Sequence, residues 1–150
     1  MGDKDRERTY DPLSAGEYAM VGAAIFERLA QCESIQGIHL DYQSMDGDNH
    51  LGFFTMPGGK ILSYDVTGGF EAQLPFQLTY QTRTTSNKGF LAAERLLTET
   101  AQELESKPYP LLDGGREITK IHLDGVPYRA QADDSGAVVF VITGSVRYEK

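Results

Sequence analysis

Phe70-Glu-Ala-Gln-Leu-Pro-Phe-Gln-Leu-Thr-Tyr-Gln-Thr-Arg83 is the stretch on which the fold turns. Phe70, Ala72, Leu74, Phe76, Leu78, Tyr80 and Thr82 fall on one side of a period-two alternation, while Glu71, Gln73, Gln77, Thr79, Gln81 and Arg83 fall on the other. Every second side chain of a pleated strand shares a face, so the stretch reads as one long strand with one face buried and the other turned to water or a polar partner. The period then changes. Thr84, Thr85 and Ser86 supply capping hydroxyls, and Phe90, Ala93, Leu97, Ala101 and Leu104 follow at spacings of three and four, which predicts a capped amphipathic helix from Ser86 to Glu105.

Upstream, Ser14 followed by Glu17 has the form of a capping box, with Leu13 and Tyr18 placed as a hydrophobic staple. The helix it opens carries Tyr18, Val21, Ile25, Leu29 and Cys32 on one stripe and is expected to end near Glu33. Ile38, Leu40 and Tyr42 alternate with polar residues as a short strand. Ser44 to Asn49 is a turn-rich loop, and Leu51 to Met56 is its expected hairpin partner. Pro57-Gly58-Gly59 reads as a further reversal before a strand over Lys60 to Val66.

Downstream, Lys107-Pro108-Tyr109-Pro110 stops the second helix, because proline has no N–H and biases its predecessor away from helix. Ile118 to Leu123, Val126 to Ala132 and Ala137 to Tyr148 read as strands. Asp124-Gly125 and Asp133 to Gly136 separate them as hairpin turns. No internal repeat is visible. The order predicts an α+β fold, a mostly antiparallel sheet with two main helices packed on one face. Residues 1–11 read as a flexible polar arm and residues 12–150 as a single α+β domain.

The composition narrows the function. The chain has 150 residues and a formal net charge of −8, with its basic residues scattered or interleaved with acidic ones as in Asp3 to Arg8. Such a surface disfavours tight binding to nucleic acid. No apolar run approaches the roughly 20 residues that span a bilayer, and the charged N-terminus lacks the apolar segment of a secretory signal, so neither a membrane nor export is expected. Cys32 is the single cysteine and the three histidines, His39, His50 and His122, lie in separate elements. No ligand spacing points to a metal or a cofactor.

Motifs that might carry chemistry read more simply as structure. Asp46-Gly47-Asp48-Asn49-His50 departs from the EF-hand order, and Lys60 after Pro57-Gly58-Gly59 enters a strand where a phosphate loop would open a helix. Cys32 continues an apolar stripe beside Glu33, a poor setting for a thiolate nucleophile. No catalytic residue is assigned, and the chain is not expected to be an enzyme. Phe53, Phe54 and Met56 stand out instead: adjacent aromatics cannot share one face of a strand, so either both faces are covered or one meets another chain. These three residues are the candidate subunit contact.

The amphipathic first helix, the strand-to-helix unit from Phe76 to Glu105 and the closing strand Val141-Ile-Thr-Gly-Ser-Val-Arg-Tyr148 together resemble the tail terminator and minor capsid (neck) proteins of long-tailed bacteriophages. The resemblance implies a virion protein made in the bacterial host cytoplasm. It would form a homo-oligomeric, six-fold ring at the head-proximal end of the tail tube, between the tail-tube protein and the head-completion proteins. The central sheet would line or approach a channel through which DNA passes without specific binding. The glycine-rich segment Asp46 to Gly69 departs from the expected hairpin. Two other readings compete: a small ligand-binding or enzymatic domain with Tyr64, Phe76, Tyr80, His122, Tyr128 and Phe140 around a pocket in a cupped antiparallel sheet, and an adaptor that pairs with one protein.

Overall fold

The computed structural model describes residues 10–132 and 136–150. Two long strands, β5 (Phe70–Arg83) and β8 (Ala137–Glu149), lie antiparallel at the centre of one eight-stranded sheet, paired from Glu71↔Glu149 to Arg83↔Ala137. The alternation in β5 sets this arrangement. Ala72, Leu74, Phe76, Leu78 and Tyr80 are buried on one face together with Val138, Phe140, Ile142, Val146 and Tyr148 of β8.

Each central strand is flanked by a broken one. Along the outer edge of β5 run β3 (His50–Thr55) and β4 (Lys60–Tyr64), both antiparallel to it, at Phe76–Gln81 and Phe70–Gln73 respectively. Along the outer edge of β8 run β6 (Glu117–Leu123) and β7 (Tyr128–Ala132). The reversals expected at Pro57-Gly58-Gly59 and Asp124-Gly125 are therefore interruptions, after which the chain keeps its direction and rejoins the same neighbour. Turn-forming composition shows that the ladder stops; it does not show which way the chain leaves.

Pro75 sits where β5 changes partner from β4 to β3, and its carbonyl accepts from Met56 N at 2.9 Å. A residue's N–H and carbonyl point to the same edge of an antiparallel strand, so the missing proline donor falls at the one gap in the ladder. The Tyr18 hydroxyl spans that gap, donating to Met56 O at 3.0 Å and accepting from Gly59 N at 2.7 Å.

The expected hairpin of β2 (His39–Tyr42) with β3 is also corrected, since the two strands are parallel, with His39 opposite His50 and Tyr42 opposite Phe53. Parallel neighbours usually need a crossover of a dozen residues or more. Here residues 43–49 suffice because they cross directly over Gly52, where an added Cβ would lie 2.5 Å from Ser44 O. Asp11, expected to end a loose arm, is paired as well: β1 (Asp11–Pro12) adds to the edge of β4. Residues 1–9 of that arm, and residues 133–135, expected as part of a hairpin turn, lie outside the described residues.

Helices α1 (Ala15–Ala30) and α2 (Asn87–Glu105) pack on one face of the sheet, as the α+β reading expects. Phe26 of α1 lies 6.3 Å from Phe53 and Phe90 of α2 lies 6.3 Å from Phe140. Ser14 and Ser86 cap them, accepting from Glu17 N at 3.3 Å and Gly89 N at 3.0 Å. α1 stops three residues before the expected end, and a 3₁₀ turn, Glu33–Ile35, follows. The order helix, broken strand, long strand thus occurs twice, although no residue pattern repeats.

Candidate assembly face

The pocket reading requires six aromatic and histidine side chains to converge, and the structure separates them. Phe76, Tyr80 and Phe140 are buried beneath the helices, while Tyr64, His122 and Tyr128 are exposed at different places on the sheet. Cys32 is buried just past α1, where burial first and Glu103 second push its thiol up, away from the thiolate. His39 and His50 do meet, contrary to their separation in sequence: β2–β3 pairing stacks their rings 4.7 Å apart, and His50 Nδ1 lies 2.6 Å from Asp41 Oδ2. That hydrogen bond holds the Asp41 carboxyl below the usual carboxylate range. Among the described residues no three His, Cys, Asp or Glu side chains are grouped as a metal ion would require.

Glu17 takes a different role from the one its position suggests. The capping-box reading sends its carboxylate back to the helix start, but Arg116 Nε and Nη2 reach it at 3.0 and 2.6 Å and Tyr148 OH donates at 2.8 Å. Burial alone would raise the Glu17 pKa; the hydrogen bonds from Arg116 and Tyr148 outweigh it and hold the group ionised below the usual range. Burial, with the bond to Glu17, pushes the Tyr148 phenol well above its ordinary value. The cluster ties the start of α1 to the end of β8. It is a structural clamp, and the remaining Arg116 Nη1 donates to Asp113 O at 3.2 Å.

The helix-free face of the sheet is different in kind. Gln77, Thr79 and Gln81 of β5, Val139, Val141 and Thr143 of β8 and Phe54 of β3 point to it, following the strand alternation and the cross-strand pairs Gln77↔Phe54 and Thr79↔Val141. All of these but Thr143, with Met45 of the crossover and Ala137, line a shallow trough of about 360 Å³ that has no charged side chain among the described residues. Thr79 and Val141 are nearly closed off at its floor, 6% and 4% exposed, although no helix among the described residues covers them.

The candidate contact residues divide between the faces. Phe53 is fully buried in the core, 5.6 Å from Phe76 and 5.8 Å from Tyr42, so a second chain cannot meet it. Phe54 is half-buried on the open face, and Met56, also half-buried, lies just beyond β3 at the ladder gap. Of the three candidates, Phe54 and Met56 are the ones that retain exposed surface. Met45, Val139 and Val141 were not singled out, because only the register places them beside Phe54.

Structural comparison finds this architecture in a chain of a solved structure described as the virion of a native gene transfer agent particle, with a TM-score of 0.65. The alignment covers 91% of this chain and 100% of that chain at 14% sequence identity. What is shared is the fold. No protein-family model matches the sequence, and no curated protein matches it.

Proposed function

We propose that this chain is a structural protein of a phage-like virion, and specifically a tail terminator. It forms a ring on the head-proximal end of the tail tube, stops tube growth and joins the tube to the head-completion proteins. The observation that carries this reading is the extent of the structural likeness: the virion chain is covered along its whole length, so the fold by itself, without further domains, serves as a virion building block there. The sequence resemblance to tail terminators supports the finer assignment.

The two faces suit a protein that acts by assembly rather than by making or breaking covalent bonds. One face is closed by the helices, while the other offers to a neighbouring chain a trough lined by Phe54 and, among the described residues, by uncharged side chains only. Chains of net charge −8 repel one another, so a ring needs such a surface. The open face is accordingly assigned to the neighbour and not to the channel wall, while the acidic balance of the subunit lets DNA pass without being gripped.

The test is electron microscopy of tail tubes assembled from their tube protein with and without this chain. Wild-type protein is expected to cap one end of each tube as a ring, and Phe54→Asp to leave the ends bare while remaining folded and soluble. Tubes that elongate identically with wild-type protein present would remove the terminator assignment.

A further inference from the structure

The open face carries a second feature, at the end of the sheet away from the crossover. Glu117, Glu149 and Glu71 stand opposite one another across β6, β8 and β5, forming a row of carboxylates. The next row on the same face is Lys120, Arg147, Gln73 and Lys60, across β6, β8, β5 and β4. Like charges directly opposite on neighbouring strands are unfavourable, and the two rows are about 7 Å apart along the strands. Intramolecular pairing between the rows would relieve this. Yet none of these six charged side chains forms an ion pair among the described residues, and Lys60 instead places its ammonium 4.8 Å over the Tyr10 ring.

An acidic row lying beside a basic row is complementary to its own image turned through half a rotation. We infer that two copies of this chain pair open face to open face about a two-fold axis between the rows. Each copy sets its Glu117 and Glu149 over the Lys120 and Arg147 of the other, with Glu71 over Gln73, one strand in from Lys60, as an isologous contact requires. The bulge at Thr119 helps, since the extra residue lets Lys120 face Arg147 while Ile118 and Ile121 stay in the core. The pairing rests on the charge rows alone. Its biological meaning rests on the ring reading: the same face carries Phe54, so the two-fold pair is the form of the protein off the virion, and ring assembly displaces it.

Sedimentation equilibrium and native mass spectrometry test the pairing with two charge-reversed variants. The first is Lys120→Glu with Arg147→Glu; the second is Glu71→Lys with Glu149→Lys. Wild type is expected to dimerise, each variant alone to self-associate at least about tenfold more weakly, and an equimolar mixture of the two to recover a heterodimer. The second variant is decisive. It is less negative overall than wild type, so general charge repulsion would make it pair more tightly, whereas the rows make it pair more weakly.

Milder variants, Arg147→Gln and Glu149→Gln, are expected to weaken pairing in the same order and serve if a double reversal does not fold. A second variant that dimerises as well as wild type, or a mixture that stays monomeric, overturns the inference. Wild type that caps tubes but passes from monomer to ring without a two-fold pair overturns it too, while leaving the ring reading in place. Wild type that neither pairs nor caps brings down both.

Discussion

Phe53 and Phe54 are chain neighbours with the same side chain, and they belong to different parts of the protein's physics. Phe53 faces the helices and is sealed among Phe26, Tyr42 and Phe76. Phe54 faces the other way, into a trough that no element among the described residues closes. The same division runs along β5 and β8, whose alternate residues are core on one side and a mixed apolar, amide and charged surface on the other. One face spends its apolar area on folding; the other keeps it available for a partner.

Substitution at Phe53 gives the largest expected effect. Phe53→Ala removes a fully buried ring and leaves a cavity, at a cost of about 3–5 kcal/mol read from urea unfolding, with solubility falling accordingly. Next is the clamp that holds the covered side shut: Arg116→Ala is expected to cost about 2–3 kcal/mol, because it leaves the Glu17 carboxylate desolvated without its cation.

The same clamp sets a pH response. The folded-state pKa of Glu17 is depressed, so as acid is added the unfolded chain takes up this proton first. Its contribution is complete above the ordinary glutamate value of about 4.3 and is lost as pH falls through the lower folded value. Urea titrations from pH 6 to pH 3 should show that loss in the wild type, and Glu17→Gln should flatten it.

A smaller effect is expected where the crossover presses on the open face. Gly52→Val places carbon atoms against Ser44 O and Met45, so residues 43–49 must lift from β3, at about 1–3 kcal/mol. Amide exchange at Gln43, whose N–H bonds Phe53 O at 2.7 Å, should accelerate with it. Phe54→Ala completes the series, with a stability change below about 1 kcal/mol in the same urea assay. An effect there as large as that of Phe53→Ala would erase the contrast between the faces.

What the sequence makes legible follows the same divide. The span of β5, both helix stripes and both serine caps are encoded by neighbours within one turn or one pleat, and the structure has them where periodicity puts them. Pairing is encoded elsewhere. Gly58-Gly59 and Asp124-Gly125 mark where a strand is interrupted, but the continued direction of β3 into β4 and of β6 into β7 depends on the long strand they share. Gly52 gave no local sign that a loop would cross it.

The role of Glu17 is not legible locally, because its partner, Arg116, is 99 residues away. The trough and the charge rows are properties of register, visible only once Phe54 is known to lie beside Val141 and Arg147 beside Lys120. The repeated order of helix, broken strand and long strand is hidden for the same reason: its two halves share connections rather than residues.

Cysteine labelling tests the division of the faces most directly, since the single native cysteine, Cys32, is buried. Val139→Cys reports the trough and Leu91→Cys an exposed site on α2. Maleimide reaction rates are compared for free protein and for protein assembled on tail tubes. Position 139 is expected to react in the free chain and to be protected at least about tenfold on assembly, with position 91 unchanged. Equal rates at position 139 in the two states would contradict the assignment of the open face to a partner.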